Sequence, residues 1–243
     1  MKALILAAGL GTRLKSITET TPKVLALIGG RPLLNHQLDQ LREIGITEIL
    51  INTHYLSSQV ENFCKDYCKK NNGIRITTTY EKTLLGNAGT MIANQFFFND
   101  EEDFLIIYGD VFTNLNYKDL IRYHRNHDSL ATIVCSQVEN IQEKGMVVFD
   151  EKDTITTFKE KPTREEIVSF YANSGIYVFK TTILKQLKEI TKKRPLDFGK
   201  DVFPFMLAHD LPLLIYKLTD WLIDIGDPES YRLANNKIKE LNL

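Results

Sequence analysis

Cysteine is scarce in this chain of 243 residues, which has only Cys64, Cys68 and Cys135. An odd number without a framework spacing excludes a disulfide-stapled scaffold and favours a reducing compartment. Cys64 and Cys68 lie one helical turn apart; with no second ligand pair in view, they read as packing residues rather than a metal or redox site. Long apolar runs are also missing. No stretch approaches the ~20 apolar residues of a membrane span, and the apolar start MKALILAAG is too short for a signal peptide. A cytoplasmic protein that does not engage a membrane is therefore expected. Charge of one sign is not in excess: 30 Lys and Arg stand against 31 Asp and Glu, a formal net charge of −1. That balance argues against a nucleic-acid partner, while leaving room for local basic sites that take small anions. Internal repeats, low-complexity tracts and long linkers are absent too. At this length the chain buries ~70–75% of its unfolded surface, so a single large domain needs no staples.

What is present is an alternation. Lys2–Ala7 reads as a short buried strand. Pro32 opens a helix with Leu34, Leu38 and Leu41 on one face, and Gly45 stops it. Glu48–Asn52 is a strand, and Val60, Phe63, Cys64 and Tyr67 recur at helical spacing. Ile74–Tyr80 alternates as a strand, Gly86–Gly89 breaks it, and Asp103–Tyr108 is another buried strand. Strand and helix in turn imply a parallel sheet with helices on both faces. Beyond about residue 130 the segments Leu130–Val138, Met146–Asp150, Thr154–Lys159 and Asn173–Phe179 are strand-like with short joins, which predicts a mixed, partly antiparallel half. Asp227-Pro228-Glu229 starts a final helix, with Asp at the N-cap and Pro at the first helical position. The predicted class is α/β, one domain with a Rossmann-like, mixed but mostly parallel sheet, divided into halves 1–130 and 131–243.

The stretch LAAGLGTRLKSITETTPK, from Leu6 to Lys23, ends the first strand in a glycine turn. Gly9 and Gly11 let backbone amides approach an anion closely. A dinucleotide fingerprint needs Gly or Ala at position 14, where Leu14 stands, and a P-loop needs Gly-Lys-Ser/Thr, which is missing. Two cations, Arg13 and Lys23, appear instead. A planar fork and a compact charge beside a strand-end turn suit a polyphosphate; a tight surface turn with solvated cations is the alternative. Asp110 follows Gly109 at the end of a buried strand, where a carboxylate is placed to hold Mg²⁺ or to cap the next loop. Asp224 lies in the apolar run Trp221–Ile225, where a lone carboxylate is costly unless paired or metal-bound. Gly86, Ala88 and Gly89 form a small-residue turn that admits a flat ring, with free amides to read a base edge, or else an ordinary strand-to-helix turn. Glu160-Lys161-Pro162 follows a strand and is by itself a solvated charge pair. His124 and His127, lacking an acidic or cysteine partner, read as an exposed helix end rather than a metal site.

G-x-G-x-R-L…P-K after an N-terminal strand resembles the signature of sugar-1-phosphate nucleotidyltransferases, and the resemblance recurs in order along nearly the whole chain. LLGNAGT (84–90) is similar to the family's base- and ribose-contacting segment and YGDVF (108–112) to its metal aspartate. FKEKP (158–162) is similar to its sugar and phosphate segment, NSGIYVF (173–179) to its sugar-binding strand, and WLIDIGDPESY (221–231) to its second metal aspartate. The resemblance implies an enzyme that joins a nucleoside triphosphate to a sugar 1-phosphate and releases pyrophosphate. Leu6, Ala8, Gly9, Gly11, Thr12, Arg13, Gly86, Ala88 and Gly89 are then the nucleotide-binding residues, and Asp110 and Asp224 the two protein ligands of one Mg²⁺. Gly145, Glu160, Lys161 and Asn173 hold the sugar phosphate in a sugar-binding lobe, and Arg13, Lys23 and Lys161 act in catalysis.

Within the family, LGNAGT, INTHY and the short length look most like mannose-1-phosphate guanylyltransferases and small relatives acting on muramate or heptose phosphates. Asn87 stands where the family's more usual L-G-T-A-G has Thr, and uridylyl, thymidylyl and cytidylyl transfer stay open. The resemblance also implies that the left-handed β-helix of some relatives is lacking. Two other classes compete: a cytidylyltransferase that activates a non-sugar phosphate such as phosphocholine, and a catalytically dead regulatory subunit, against which the retention of Arg13, Lys23, Asp110, Lys161 and Asp224 together argues. A homo-oligomer is compatible with the sequence.

Overall fold

A computed structural model describes residues 1–190 and 195–241, apart from the side chains of residues 15 and 16. The chain begins β1 (Lys2–Leu6), β2 (Leu27–Ile28), β3 (Arg31–Pro32), α1 (Leu33–Glu43), β4 (Glu48–Thr53), α2 (Ser57–Lys70), β5 (Arg75–Tyr80). It continues through α3 (Asn87–Ala93), β6 (Asp103–Tyr108), β7 (Val111–Thr113), α4 (Tyr117–Asn126), β8 (Ala131–Gln137), β9 (Gly145–Phe149), β10 (Ile155–Glu160) and β11 (Tyr171–Lys180). It closes with α5 (Ile183–Gln186), α6 (Phe203–Ala208), β12 (Leu213–Lys217), β13 (Leu222–Asp224) and α7 (Pro228–Glu240). These elements form two compact units that interleave in sequence. The first holds Met1, Leu85–Ile106 and Leu115–Asp220; the second holds Lys2–Leu84, Ile107–Asn114 and Trp221–Leu243.

The second unit is built on β1, β4 and β5, all parallel in that order, with Ile5 opposite Ile51 and Ile51 opposite Thr78. Ala3, Leu4, Ile5, Ile49, Leu50 and Ile51 are buried in succession, the continuous apolar run that a parallel strand covered on both faces requires. Leu34, Leu38 and Leu41 bury one face of α1, which stops before Gly45 at φ 81. Val60, Cys64 and Tyr67 do the same for α2. Burial pushes the Cys64 thiol up to about 12, and all three cysteines are free thiols. α7 begins as the sequence predicts: the Asp227 carboxylate accepts from the amides of Glu229 and Ser230. The same helix sends Ala234 and Ile238 into a core with Leu14, Ile28, Leu33, Phe112, Ile223 and Ile225.

The first unit is mixed, as expected beyond residue 130. β11 pairs antiparallel with β8 and β9, and β9 with β10, while β12 runs parallel to β8. β6 lies beside β11. Its core is aromatic, with Phe98 stacked on Phe104 at 4.2 Å and Tyr177 tilted against Phe198 at 5.0 Å. The β8–β11 register shifts between Asn173 and Tyr177, where Gly175 takes φ 71, so the strand is bulged at the expected sugar-binding segment.

Two expectations are corrected. His124 is not at an exposed helix end: it is fully buried. It sits one turn after Leu120 on the inward face of α4, with Nδ1 2.8 Å from Thr132 Oγ1 and Nε2 3.5 Å from Asp103 Oδ1. Asp224 is not a carboxylate sunk among apolar neighbours either. The period of two along β13 turns Ile223 and Ile225 inward and leaves Asp224 exposed.

Candidate functional site

The residues singled out from sequence fall into two clusters, one inside each unit. In the second unit, β1 ends at Leu6 and the chain turns through Ala7–Gly11 into a short 3₁₀ stretch, Thr12–Ile17. No α-helix follows, because Leu14 is drawn completely into the core where a dinucleotide fold would place glycine. The turn is pinned at both ends. The amide of Ala7 donates to Asn52 Oδ1 at 2.7 Å, and the Thr18 hydroxyl donates to the Gly11 carbonyl at 2.8 Å. Gly9 and Leu10 between them are exposed, and a Cβ at Gly9 would meet nothing within 4 Å. The protein's own packing therefore does not require glycine there.

Gly109 is required. A Cβ there would lie 2.7 Å from Val24 and 2.8 Å from the Leu6 carbonyl. That close approach brings the Pro22–Leu25 turn against the end of β6, and Lys23 Nζ lies 2.6 Å from Asp110 Oδ2. β13 pairs antiparallel with β7, Asp224 opposite Val111, and the Ile225 amide donates to the Asp110 carbonyl at 2.9 Å. Arg13 completes the set: its Nη2 stands 3.1 Å from where a Cβ on Gly226 would be. Lys23 and Asp110 are thus paired near the carboxyl end of β1, with Arg13 against Gly226 and Asp224 two residues before it on the strand that pairs with β7. Open α/β sheets bind ligands beyond the carboxyl ends of their strands. A carboxylate just before β7 and one at the end of the strand paired with it are hard-oxygen donors of the kind that suits Mg²⁺, which takes one or two carboxylates and fills its other positions from phosphate oxygens and water. Among the described residues, no group of three or more His, Cys, Asp and Glu side chains could hold a metal by itself.

In the first unit, Glu160 ends β10 with its Oε2 2.9 Å from a Cβ built on Gly145 and 2.7 Å from one built on Gly199. The carboxyl is half-buried; that burial, and then the charge of Asp197, raise its pKa. Lys161 follows in the left-handed region at φ 51, its amide donating to the Lys144 carbonyl. Its ammonium is exposed, 3.6 Å from the still more exposed Glu143. The bulge turns Asn173 so that Nδ2 donates to Tyr177 Oη at 2.9 Å and Oδ1 accepts from the Gly175 amide. The Gly86–Gly89 turn departs from expectation. The amides of Ala88 and Gly89 are not free to read a base, because both donate to the Leu196 carbonyl at 3.1 and 3.3 Å.

Sequence reasoning missed Asn52 and Asp197. Asn52 bridges the Ala7 amide to Glu81 Oε1; its one local signal is a polar residue ending a run of apolar strand positions. Asp197 and the segment after it pack on the Gly86–Gly89 turn from more than a hundred residues away, which no local pattern announces.

The nucleotidyl transferase family model matches residues 2–240. The chain is 34% identical over 233 residues to mannose-1-phosphate guanyltransferase beta-B of Xenopus laevis, covering 95% of this chain and 62% of that relative. It is 35% identical over 231 residues to the mannose-1-phosphate guanylyltransferase catalytic subunit beta of Drosophila pseudoobscura pseudoobscura, covering 95% of this chain and 60% of that one. The chain thus spans about three-fifths of the length of these relatives. Among solved structures, a Bacillus anthracis protein described as a glucose-1-phosphate thymidylyltransferase, in complex with sucrose, superposes with a TM-score of 0.88 at 25% identity over 100% of this chain and 97% of that one. HddC from Yersinia pseudotuberculosis complexed with GMP-PN gives 0.75 at 27% identity over 98% of this chain and 99% of that one.

Proposed function

The chain belongs to the nucleotidyl transferase family, and from that premise we propose that it joins a nucleoside triphosphate to a sugar 1-phosphate, giving a nucleoside diphosphate sugar and pyrophosphate. The observation that carries the reading is the Lys23–Asp110 pair beside the open glycine turn at the end of β1, with Arg13 against Gly226 and Asp224 on the strand paired with β7. A phosphate oxygen of the sugar phosphate attacks the α-phosphorus in line, and the bond to the β-phosphate oxygen breaks. No general base is needed, because a phosphate monoester is largely ionised near neutral pH. The protein contributes positioning and electrostatics.

In this reading the open turn over Gly9 receives the triphosphate, flanked by Leu6, Ala8, Gly11 and Thr12. Arg13 offers its fork to the departing pyrophosphate. Asp110 and Asp224 are the groups that would hold Mg²⁺, whose charge offsets that gathering on the phosphates. Lys23 is fixed by its ion pair with Asp110 and aligns the phosphates from that position. In the first unit, Glu160 accepts from sugar hydroxyls, Gly145 and Asn173 complete the sugar contact, and the exposed Lys161 ammonium binds the attacking phosphate. With two of its amides engaged on Leu196, the turn at Gly86, Ala88 and Gly89 contributes shape and small size to base binding more than donors. The preferred base is guanine and the sugar is of manno configuration, a reading supported by the named relatives and by the GMP-PN bound to HddC.

Mass spectrometry of the products tests the reaction. Incubation with GTP, Mg²⁺ and mannose 1-phosphate is expected to yield GDP-mannose. A nucleotide-linked product formed from phosphocholine and from no sugar phosphate would place the chain among the cytidylyltransferases instead.

A further inference from the structure

Asn87 occupies a position where one side chain touches both the base turn and the sugar side of the first unit. Its Nδ2 donates to Asp197 Oδ2 at 2.8 Å, and its Oδ1 accepts from the Phe198 amide at 2.8 Å and the Ala88 amide at 2.7 Å. Leu196, one residue before Asp197, is clasped by the same turn: its amide donates to the Leu85 carbonyl at 2.8 Å, and its carbonyl takes the Ala88 and Gly89 amides. The approach is close enough that a Cβ on Gly86 would sit 2.2 Å from the Leu196 carbonyl oxygen. Beyond Leu196, Asp197 caps the single π-turn Phe198–Val202. Its Oδ1 accepts from the Lys200 amide, and its own amide donates to Asp201 Oδ2. That π-turn carries Gly199, against which the Glu160 carboxylate rests. An unbroken run of hydrogen bonds and close contact therefore leads from the Gly86–Gly89 turn through Asn87 and Asp197 to Glu160.

The chemistry of the link explains why the residue is an amide. It donates to a carboxylate and accepts from a backbone N–H at once, and the Asn side chain does so from two separate atoms, Nδ2 and Oδ1. The Thr of the more usual L-G-T-A-G would have to donate and accept from one hydroxyl oxygen. An Asp would keep the acceptor and set a second carboxylate against Asp197.

We propose that Asn87 is a positioning residue for sugar-phosphate recognition: it fixes the Asp197–Val202 turn that supports Glu160, so that a residue of the base turn controls how well the sugar phosphate binds. The inference rests on the reaction proposed above.

The test is a cycle of Asn87→Asp, Asp197→Asn and the double variant, with steady-state pyrophosphate release read against both substrates. Asn87→Asp loses the donor and is expected to raise KM for the sugar 1-phosphate about tenfold, the order expected for a broken hydrogen bond to a charged group, with KM for the nucleotide moving by less than about twofold. The double variant exchanges donor and acceptor: Asp at 87 still accepts from the Phe198 amide, and Asn at 197 supplies the lost N–H while accepting from the Lys200 amide. It is expected to return the sugar-phosphate KM to within about threefold of wild type. A double variant no better than the worse single variant, or an Asn87→Asp enzyme impaired only toward the nucleotide, overturns the proposal. If the singles do not fold, a double variant with wild-type melting temperature but a sugar-phosphate KM raised tenfold overturns it as well. Wild-type protein that releases no pyrophosphate with any sugar 1-phosphate refutes the proposed reaction instead, a result distinct from both.

Discussion

Arg13 and Lys161 are cations of the proposed site that no close ion pair ties down among the described residues. Arg13 is exposed beside Gly226, and Lys161 has a 3.6 Å contact to an exposed Glu143, a pair that contributes little. Each can be removed without leaving a buried carboxylate, so substitution reports on substrate. Arg13→Ala is expected to lower kcat with a smaller effect on the sugar-phosphate KM, and Lys161→Ala to raise that KM; a Lys161→Ala enzyme weakened only toward the nucleotide would exchange the two assignments. Asp110→Asn and Asp224→Asn remove negative charge from the proposed Mg²⁺ ligands, and each is expected to cut turnover by ~10²-fold or more at limiting Mg²⁺; near wild-type rates in both would remove the metal assignment. Glu160 yields a prediction with a definite sign. Burial and then Asp197 raise its carboxyl above the ordinary 4.5, so across the window from 4.5 upward the folded chain holds a proton that the unfolded chain has lost. Stability falls as pH rises through that window and levels off above the raised value. Thermal melts of wild type and Glu160→Gln across that range are expected to diverge, wild type losing ground as pH rises. Parallel curves would show that the carboxyl is not perturbed.

Among the elements, the 3₁₀ stretch after the glycine turn is the one on which the site depends most. Leu14 is completely buried among Ile28, Leu33, Phe112 and Ile223, whereas Leu10, four residues earlier on the open turn, is 45% exposed. Leu14→Ala is expected to cost about 2–5 kcal/mol in denaturant unfolding, and Leu10→Ala to stay within about 0.5 kcal/mol. Equal effects would mean that the turn is not anchored through Leu14. The same contrast shows what sequence could and could not disclose. Strands β1, β4 and β6 and helices α1, α2 and α7 were legible because each carries a buried run, a helical period or an N-cap of its own. The β2–β3 pair was not, since strands of two residues have no period. β12 carries an apolar run between turn residues that was not read as a strand. The mixed character beyond residue 130 was legible from short joins, but not the bulge at Asn173.

On the scale of the whole chain, the order of motifs was legible and their contacts were not. Arg13, Lys23, Asp110 and Asp224 were each identifiable by residue type and position, and the fold of the second unit pairs Lys23 with Asp110. Burial was misjudged where the side chain's face decided it, as with His124 drawn inward and Asp224 turned outward. The Asn87–Asp197 link was invisible because its partners are 110 residues apart. No helix among the described residues is long and apolar enough to cross a membrane. Nucleotidyl transfer to a sugar 1-phosphate is tested by pyrophosphate release across five nucleoside triphosphates and a panel of sugar 1-phosphates, with phosphocholine included. Release that requires both a triphosphate and a sugar 1-phosphate, with the highest kcat/KM for GTP and mannose 1-phosphate, is the predicted result. Preference for another base by tenfold or more would change the assignment of base alone. Absence of sugar-phosphate-dependent release in every combination would refute nucleotidyl transfer to a sugar 1-phosphate.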